Sequence, residues 1–250
     1  MDFVVCPPIA LRMVAHLPDM ACRQGIAIAS IHKSHHAGVM GLTVERLAEQ
    51  GLAAMMFANA PAAMAAWGGR RPMFGTNPIA FGVPVGNAGD PIVIDLALSK
   101  VARGKIMAAK QKGISIPGDW AVDTDGNPTT DPVKALEGTM VPAGGVKGAA
   151  LAMMVELLAA GLTGAQFGHQ SSSLFDDKGK PPALGQMIIA IDPVATGGPD
   201  ITDHLASIAN EIAAEEGVRL PGRRGKSVRQ KAEYDGVEIE EDVMDAINRI

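Results

Sequence analysis

Apolar and polar positions alternate along the chain in a way that divides it into short helices and strands. Residues 9–24 place Leu11, Val14 and Ala15 at loose helical spacing, and Gly25 stands where a C-cap belongs. Residues 26–31 read as a strand, 42–49 as a helix followed by Gly51, and 52–58 as a buried strand, which opens a β–α–β alternation. Gly68, Gly69, Pro72, Gly75 and Pro78 punctuate residues 67–78 too densely for a regular element, so a loop is expected there. Strands are predicted over 79–83 and 91–95, joined by the turn 86–90. A helix over 99–112 ends at Gly113, and a turn-rich stretch follows over 119–132. Asp131 and Pro132 open a short helix, and Gly144 and Gly145 precede a long apolar helix that runs to Leu162. A strand over 185–191, a helix over 201–216, a basic turn over 219–225 and a terminal helix over 238–250 complete the reading.

Composition narrows the class. With 250 residues, 47% of them hydrophobic, the chain can bury a core as one large domain or two small ones. A formal charge of -5 argues against a nucleic-acid surface, which draws its affinity from clustered Lys and Arg. Cys6 and Cys22 lack the number for a disulfide framework and the spacing for zinc; both are expected to be packed thiols in a reducing cytoplasm. The first residues lack the basic region and apolar stretch of a secretory signal. The most apolar segment, 148–162, carries Glu156 and is shorter than the roughly twenty residues of a bilayer span, so a buried helix is expected rather than a membrane segment.

The familiar nucleotide motifs fail. The Gly-x-Gly-x-x-Gly fingerprint of the usual dinucleotide fold is absent, and residues 222–227 end like a phosphate-binding P-loop but have Leu220 where its first glycine belongs. Gly144 to Gly148 opens a helix and exposes backbone amides that a phosphate would accept. Ser34, His35 and His36 form the densest histidine cluster, able to exchange a proton near neutral pH as carbonyl or imine reduction requires; hydrogen-bonded loop histidines are the plainer alternative. His32, His35 and His36 have no carboxylate at ligand spacing, so no metal site is expected. Arg219, Arg223 and Arg224 surround a Pro221–Gly222 bend in a geometry suited to a phosphate, or form a solvated basic turn. Lys147 reads equally as a phosphate cation or a surface lysine. Arg103, before Gly104, suits a substrate carboxylate, although helix arginines are usually at the surface or in ion pairs.

Taken in order, these segments resemble the type-2 malate/L-lactate dehydrogenase family. The resemblance rests on Ser34-His35-His36, Phe74-Gly75-Thr76-Asn77-Pro78, Ile94-Asp95-Leu96-Ala97 with Ser99, Ala102-Arg103-Gly104-Lys105-Ile106, Asp125-Gly126-Asn127-Pro128, Gly144 to Gly148, and residues 219–224. It implies an α/β fold with mixed sheets unrelated to the usual dinucleotide fold, a homodimer, and NADH or NADPH in an extended groove beside a small 2-oxo acid. By the same resemblance His36, Ala37, Gly38, Val39 and Met40 line the cofactor, Asp95, Leu96 and Ala97 meet its nicotinamide or ribose, and Lys147 with Arg219, Pro221, Gly222, Arg223 and Arg224 holds its phosphates. Thr76, Arg103 and Gly104 hold substrate, and His35 or His36 is the only protonic group at hand. Residues 26–190 are expected to form the nucleotide- and substrate-binding core, with 1–25 and 191–250 the helical remainder of a second part.

Two departures shape the expectation. Family members carry an N-terminal Ser-His-Gly motif followed by an arginine; it is missing here, and the chain is expected to be a shortened form that begins inside the next helix. Some imine-reducing members have an aspartate after the Arg-Gly pair, where this chain has Lys105, which favours hydroxy-acid chemistry over cyclic imino acid reduction. Val146 replaces a histidine found in some members, so the choice between NADH and NADPH stays open. Two readings of another kind remain: a fragment that binds NAD(P)H without turnover, and a dimerisation partner that needs no cofactor.

Overall fold

A computed structural model describes residues 6–86, 89–176 and 178–249; Asn87 and Ala88 of the expected turn, residues 1–5, Asp177 and Ile250 lie outside the described residues. Helix α1 (Cys6–Gln24) turns Val14, Leu17 and Ala21 inward at helical spacing and closes on Gly25, whose φ of 80° and N–H bond to the Ala21 carbonyl end the helix as expected. Cys22 on its last turn is exposed rather than packed. Strand β1 (Ile26–Ser34) buries Ala27, Ala29 and Ile31 and faces Ile26 and Ile28 outward. It runs past the predicted end, so Ser34 belongs to the strand and the histidine pair follows it directly.

Helix α2 (Met40–Glu49) leads into β2 (Ala53–Ala58), then β3 (Met64–Ala65), β4 (Pro72–Phe74), β5 (Ile79–Val83) and β6 (Ile92–Leu96). Strand β4 corrects the all-loop expectation over 67–78. Pro72 is tolerated because it stands at the start of a short two-stranded ribbon, where a lost ladder bond matters little. Helix α3 (Arg103–Lys112) starts four residues later than expected, since Ser99 is held in a bridge to Pro142 and bonds through Oγ to the Val101 carbonyl. Strand β7 (Ala121–Val122), helix α4 (Pro132–Glu137), capped by Asp131, and strand β8 (Thr139–Met140) follow. Helix α5 (Val146–Glu156) continues into a π turn over Leu157–Gly161. Strand β9 (Leu184–Ile191) precedes α6 (Pro193–Gly197), α7 (Ile201–Ala214), α8 (Arg223–Asp235) and α9 (Glu241–Asn248). Helix α8 corrects the expected basic turn at 219–225: Arg223 and Arg224 are its first residues. It buries no side chain, so it leaves no apolar periodicity to read; its Arg229 and Lys226 instead pair with Glu45 and Asp90.

The main sheet has the order β1-β9-β2-β5-β6, with each of its ladders antiparallel. Strands β1 and β2 run the same way on either side of β9, with α2 as their crossover. Alternation along the central strands sends Met56 and Ile188 to one face, where Leu17, Val44 and Leu47 from α1 and α2 cover them. It sends Phe57 and Met187 to the other face, against Met64, Ile106 and Val155. Burial on both faces is why these strands are nearly continuous apolar runs. The candidate site opens where β1, β2 and β6 end.

Candidate active site

A cavity of about 670 Å³ brings together His35, His36, Thr76, Ala97, Arg103 and Gly104 from four separate sequence segments. His36 stands just beyond β1, after a register shift and a positive φ of 53° at Lys33. Its Nδ1 accepts the Gly38 N–H at 3.0 Å, which leaves the proton of the neutral ring on Nε2. Burial, and secondarily the neighbouring His35, holds the His36 pKa below the ordinary histidine value.

Arg103 is the first residue of α3. Its Nη1 donates to the Ala62 carbonyl at 2.9 Å, and its guanidinium lies 6.0 Å from the centre of the Phe175 ring. Contrary to the usual habit of helix arginines, it has no carboxylate partner among the described residues. Burial pulls its pKa down, yet a guanidinium remains charged at neutral pH. Its Nε–H is buried without an acceptor, so the donor set is only partly used.

A buried carboxylate behind the cavity lining holds two of its segments in place. Glu156 ends α5 and accepts the Asn77 side-chain N–H at 2.7 Å, the Gly168 backbone N–H at 2.6 Å and the Asn59 side chain at 3.3 Å. Burial pushes its carboxyl pKa up, while these bonds and the charge of His169 oppose the shift. Asn77, fully buried at a φ of 39°, also donates to the Ala152 carbonyl and accepts the Ala60 N–H. Thr76, next to Asn77, and the turn at Gly168 are thereby fixed to one another. Gly75 and Gly168 permit this closeness: a Cβ on either would lie 2.3 Å or 2.7 Å from the Ala60 carbonyl oxygen.

Among the cavity residues that the sequence did not single out are Arg71, His169 and Phe175. Arg71 was counted only as part of a punctuated loop, and Phe175 carries no local signal. His169, stacked against Phe167, brings a third imidazole to the cavity beside His35 and His36. Glu156 did leave a signal, as the lone acid in an apolar helix.

The remaining expected cofactor residues lie outside this cavity. Met40 is buried in the core, Ala37 packs against that core, and Val39 is exposed at the N-cap of α2. Asp95 Oδ2 accepts the Gly41 N–H at 2.7 Å, and Leu96 is half exposed beside it. Lys147 is exposed on the first turn of α5. Arg219, Pro221, Gly222, Arg223 and Arg224 are exposed; the Pro221 carbonyl accepts the Val93 N–H, and Arg223 lines a separate hollow with Lys226 and Asp90. Among the described residues no three His, Cys, Asp or Glu side chains converge as a metal site, and no helix is long and apolar enough to cross a membrane.

The family model for malate/L-lactate dehydrogenase matches residues 3–248. The chain belongs to this family. It is 50% identical over 96% of its length to a (2R)-3-sulfolactate dehydrogenase (NADP(+)) of Chromohalobacter salexigens, and spans 71% of that protein. It is also 41% identical over 86% of its length to a Delta(1)-pyrroline-2-carboxylate reductase of Ancylobacter novellus, and spans 64% of it. Among solved structures, the delta1-piperideine-2-carboxylate reductase of Pseudomonas syringae pv. tomato superposes with a TM-score of 0.88 at 37% identity, covering 98% of this chain and 74% of the other. The family's α/β fold, expected from the order of motifs, is the fold observed.

Proposed function

We propose that this chain catalyses reversible hydride transfer between NAD(P)H and a small 2-oxo acid, giving the 2-hydroxy acid, in the cavity shared by His36, Thr76 and Arg103. The observation that carries the reading is the partly used guanidinium of Arg103 facing the same cavity as an imidazole whose Nε2 holds its proton. Family membership and the similarity to an NADP-linked sulfolactate dehydrogenase support it.

Ala60, Ala62, Ala97 and Ala102 line the cavity with small apolar side chains, a surface chemistry that suits the face of a nicotinamide ring. When bound, NAD(P)H supplies the hydride. Arg103 would hold the substrate carboxylate, a charge-assisted contact in a partly dehydrated setting. Thr76 and Gly104 would orient the oxo group. His36 Nε2–H would donate the proton to the oxygen as negative charge develops there, with His35 the neighbouring candidate. The turn 36–40 with Asp95 and Leu96 would take the ribose, and Lys147, Arg219, Pro221, Gly222, Arg223 and Arg224 the phosphates. In this reading residues 26–190 form the site-bearing unit, flanked by 1–25 and 191–250, and the protein works as a cytoplasmic homodimer.

The identity to a pyrroline-carboxylate reductase favours a second reading, reduction of a cyclic imino acid. Fluorescence titration with NADPH and NADH, followed by cofactor oxidation with 2-oxo acids and cyclic imines, separates the two. Turnover of 2-oxo acids supports the first reading, and turnover of imines alone supports the second. Binding without any turnover marks a catalytically incomplete chain.

A further inference from the structure

The cavity is unusual in its charge. Arg71 and Arg103 both line it, together with His35, His36 and His169, yet among the described residues no carboxylate does, in a chain whose formal charge is -5. Arg103 is pinned by Ala62 and Phe175 and has one buried N–H without an acceptor. Arg71 immediately precedes β4 and is exposed at the rim, with no ion-pair partner among the described residues. Two guanidinium groups facing one cavity without a balancing acid repel each other and gain most from a ligand that brings two negative charges.

We propose that Arg71 is a specificity-determining residue that binds a second anionic group of the substrate, so that the preferred ligands are 2-oxo and 2-hydroxy acids bearing a further carboxylate or sulfonate at C3. Arg103 takes the carboxylate next to the oxo carbon. Arg71 takes the distal anion, and its exposure leaves room for a tetrahedral sulfonate as well as a planar carboxylate. A substrate with one charge leaves Arg71 unused and pays for desolvating the cavity with a single ion pair. The inference rests on the proposed substrate chemistry but concerns its selectivity.

Two measurements on the full chain keep the inference and that chemistry apart. Calorimetric titration without cofactor compares 3-sulfolactate and malate with lactate; kinetics with saturating NADPH compares 3-sulfopyruvate and oxaloacetate with pyruvate and Δ1-pyrroline-2-carboxylate. The dianions are expected to bind about tenfold more tightly than lactate, and Arg71→Gln to collapse that ratio by about tenfold. Arg71→Lys, which keeps charge but loses the fork, should retain part of it. Arg103→Gln should weaken both classes together and leave their ratio nearly intact. Lactate binding as tightly as the dianions, or Arg71→Gln weakening both classes equally, overturns the inference whatever the turnover. A preserved binding preference with no turnover of any 2-oxo acid overturns the proposed reaction and leaves the role of Arg71 standing.

Discussion

The side-chain N–H of Asn77 meets Glu156 Oε2 at 2.7 Å, and this one bond ties the loop that carries Thr76 to the end of the most apolar helix. Glu156 is surrounded by donors: Asn77, Asn59 and the Gly168 backbone. A carboxyl group answers all of them, whereas an amide presents one acceptor and two unwanted hydrogens. Glu156→Gln is therefore expected to destabilise the fold by about 1–3 kcal/mol, the cost of leaving a buried donor unmatched. Denaturant unfolding measures it. A variant as stable as the parent would mean that the network contributes nothing net.

Much of the scaffold is legible in the sequence, and the reason is physical. Strands β2, β5 and β9 are buried on both faces, so their apolar runs are long and unbroken; α1 and α2 present one apolar stripe and end on glycine. Helix α8 buries nothing, and β4 begins with proline, so neither left a pattern. At the site, His36, Thr76 and Arg103 stood out through the order of recognisable segments. Arg71, His169 and Phe175 did not, because Arg71 and Phe175 lie on irregular chain, His169 on a single 3-10 turn, and each joins the cavity with residues distant in sequence.

The paired histidines make a pH prediction. His36 has its pKa lowered first by burial and second by His35, so His35→Gln should raise the His36 midpoint without restoring the ordinary 6.5. Between the lowered folded value and 6.5 the unfolded chain binds a proton that the folded chain refuses. Stability thus falls as pH drops through that window, and His35→Gln should soften the fall. NMR titration of the ring protons reads the midpoints. Equal midpoints in parent and variant would remove His35 as a cause.

Arg103 should not tolerate lysine. The guanidinium donates one N–H to the Ala62 carbonyl, lies 6.0 Å from the Phe175 ring centre and has its Nε–H without an acceptor. An ammonium cannot divide its donors in the same fork or stack on the ring. If Arg103 holds the ground-state carboxylate as proposed, Arg103→Lys is expected to raise KM for a 2-oxo acid about tenfold with a smaller change in kcat. Steady-state kinetics tests this, and a loss confined to kcat would assign Arg103 to the transition state instead.

Asp95 acts on the opposite side of the sheet edge, and its role can be separated into charge and acceptor. Its Oδ2 accepts the Gly41 N–H in the first turn of α2, whose N-cap Val39 offers no side-chain acceptor of its own. A carboxylate there also faces the positive end of the helix dipole. Asp95→Ala removes both contributions and is expected to cost about 1–2 kcal/mol, whereas Asp95→Asn keeps an oxygen and should cost about 0.5 kcal/mol. Gly41 is as constrained as its partner: a Cβ would stand 3.1 Å from Asp95 Oδ2 and 3.4 Å from Val93 Cγ1, so Gly41→Val should part α2 from β6. Because the turn 36–40 hangs on the start of α2, the variants should weaken NADPH binding in the same order as they lose stability. Unfolding curves and fluorescence titrations on the four proteins decide the matter: Asp95→Ala as stable as the parent removes the capping role, and parallel losses bind the cofactor turn to it.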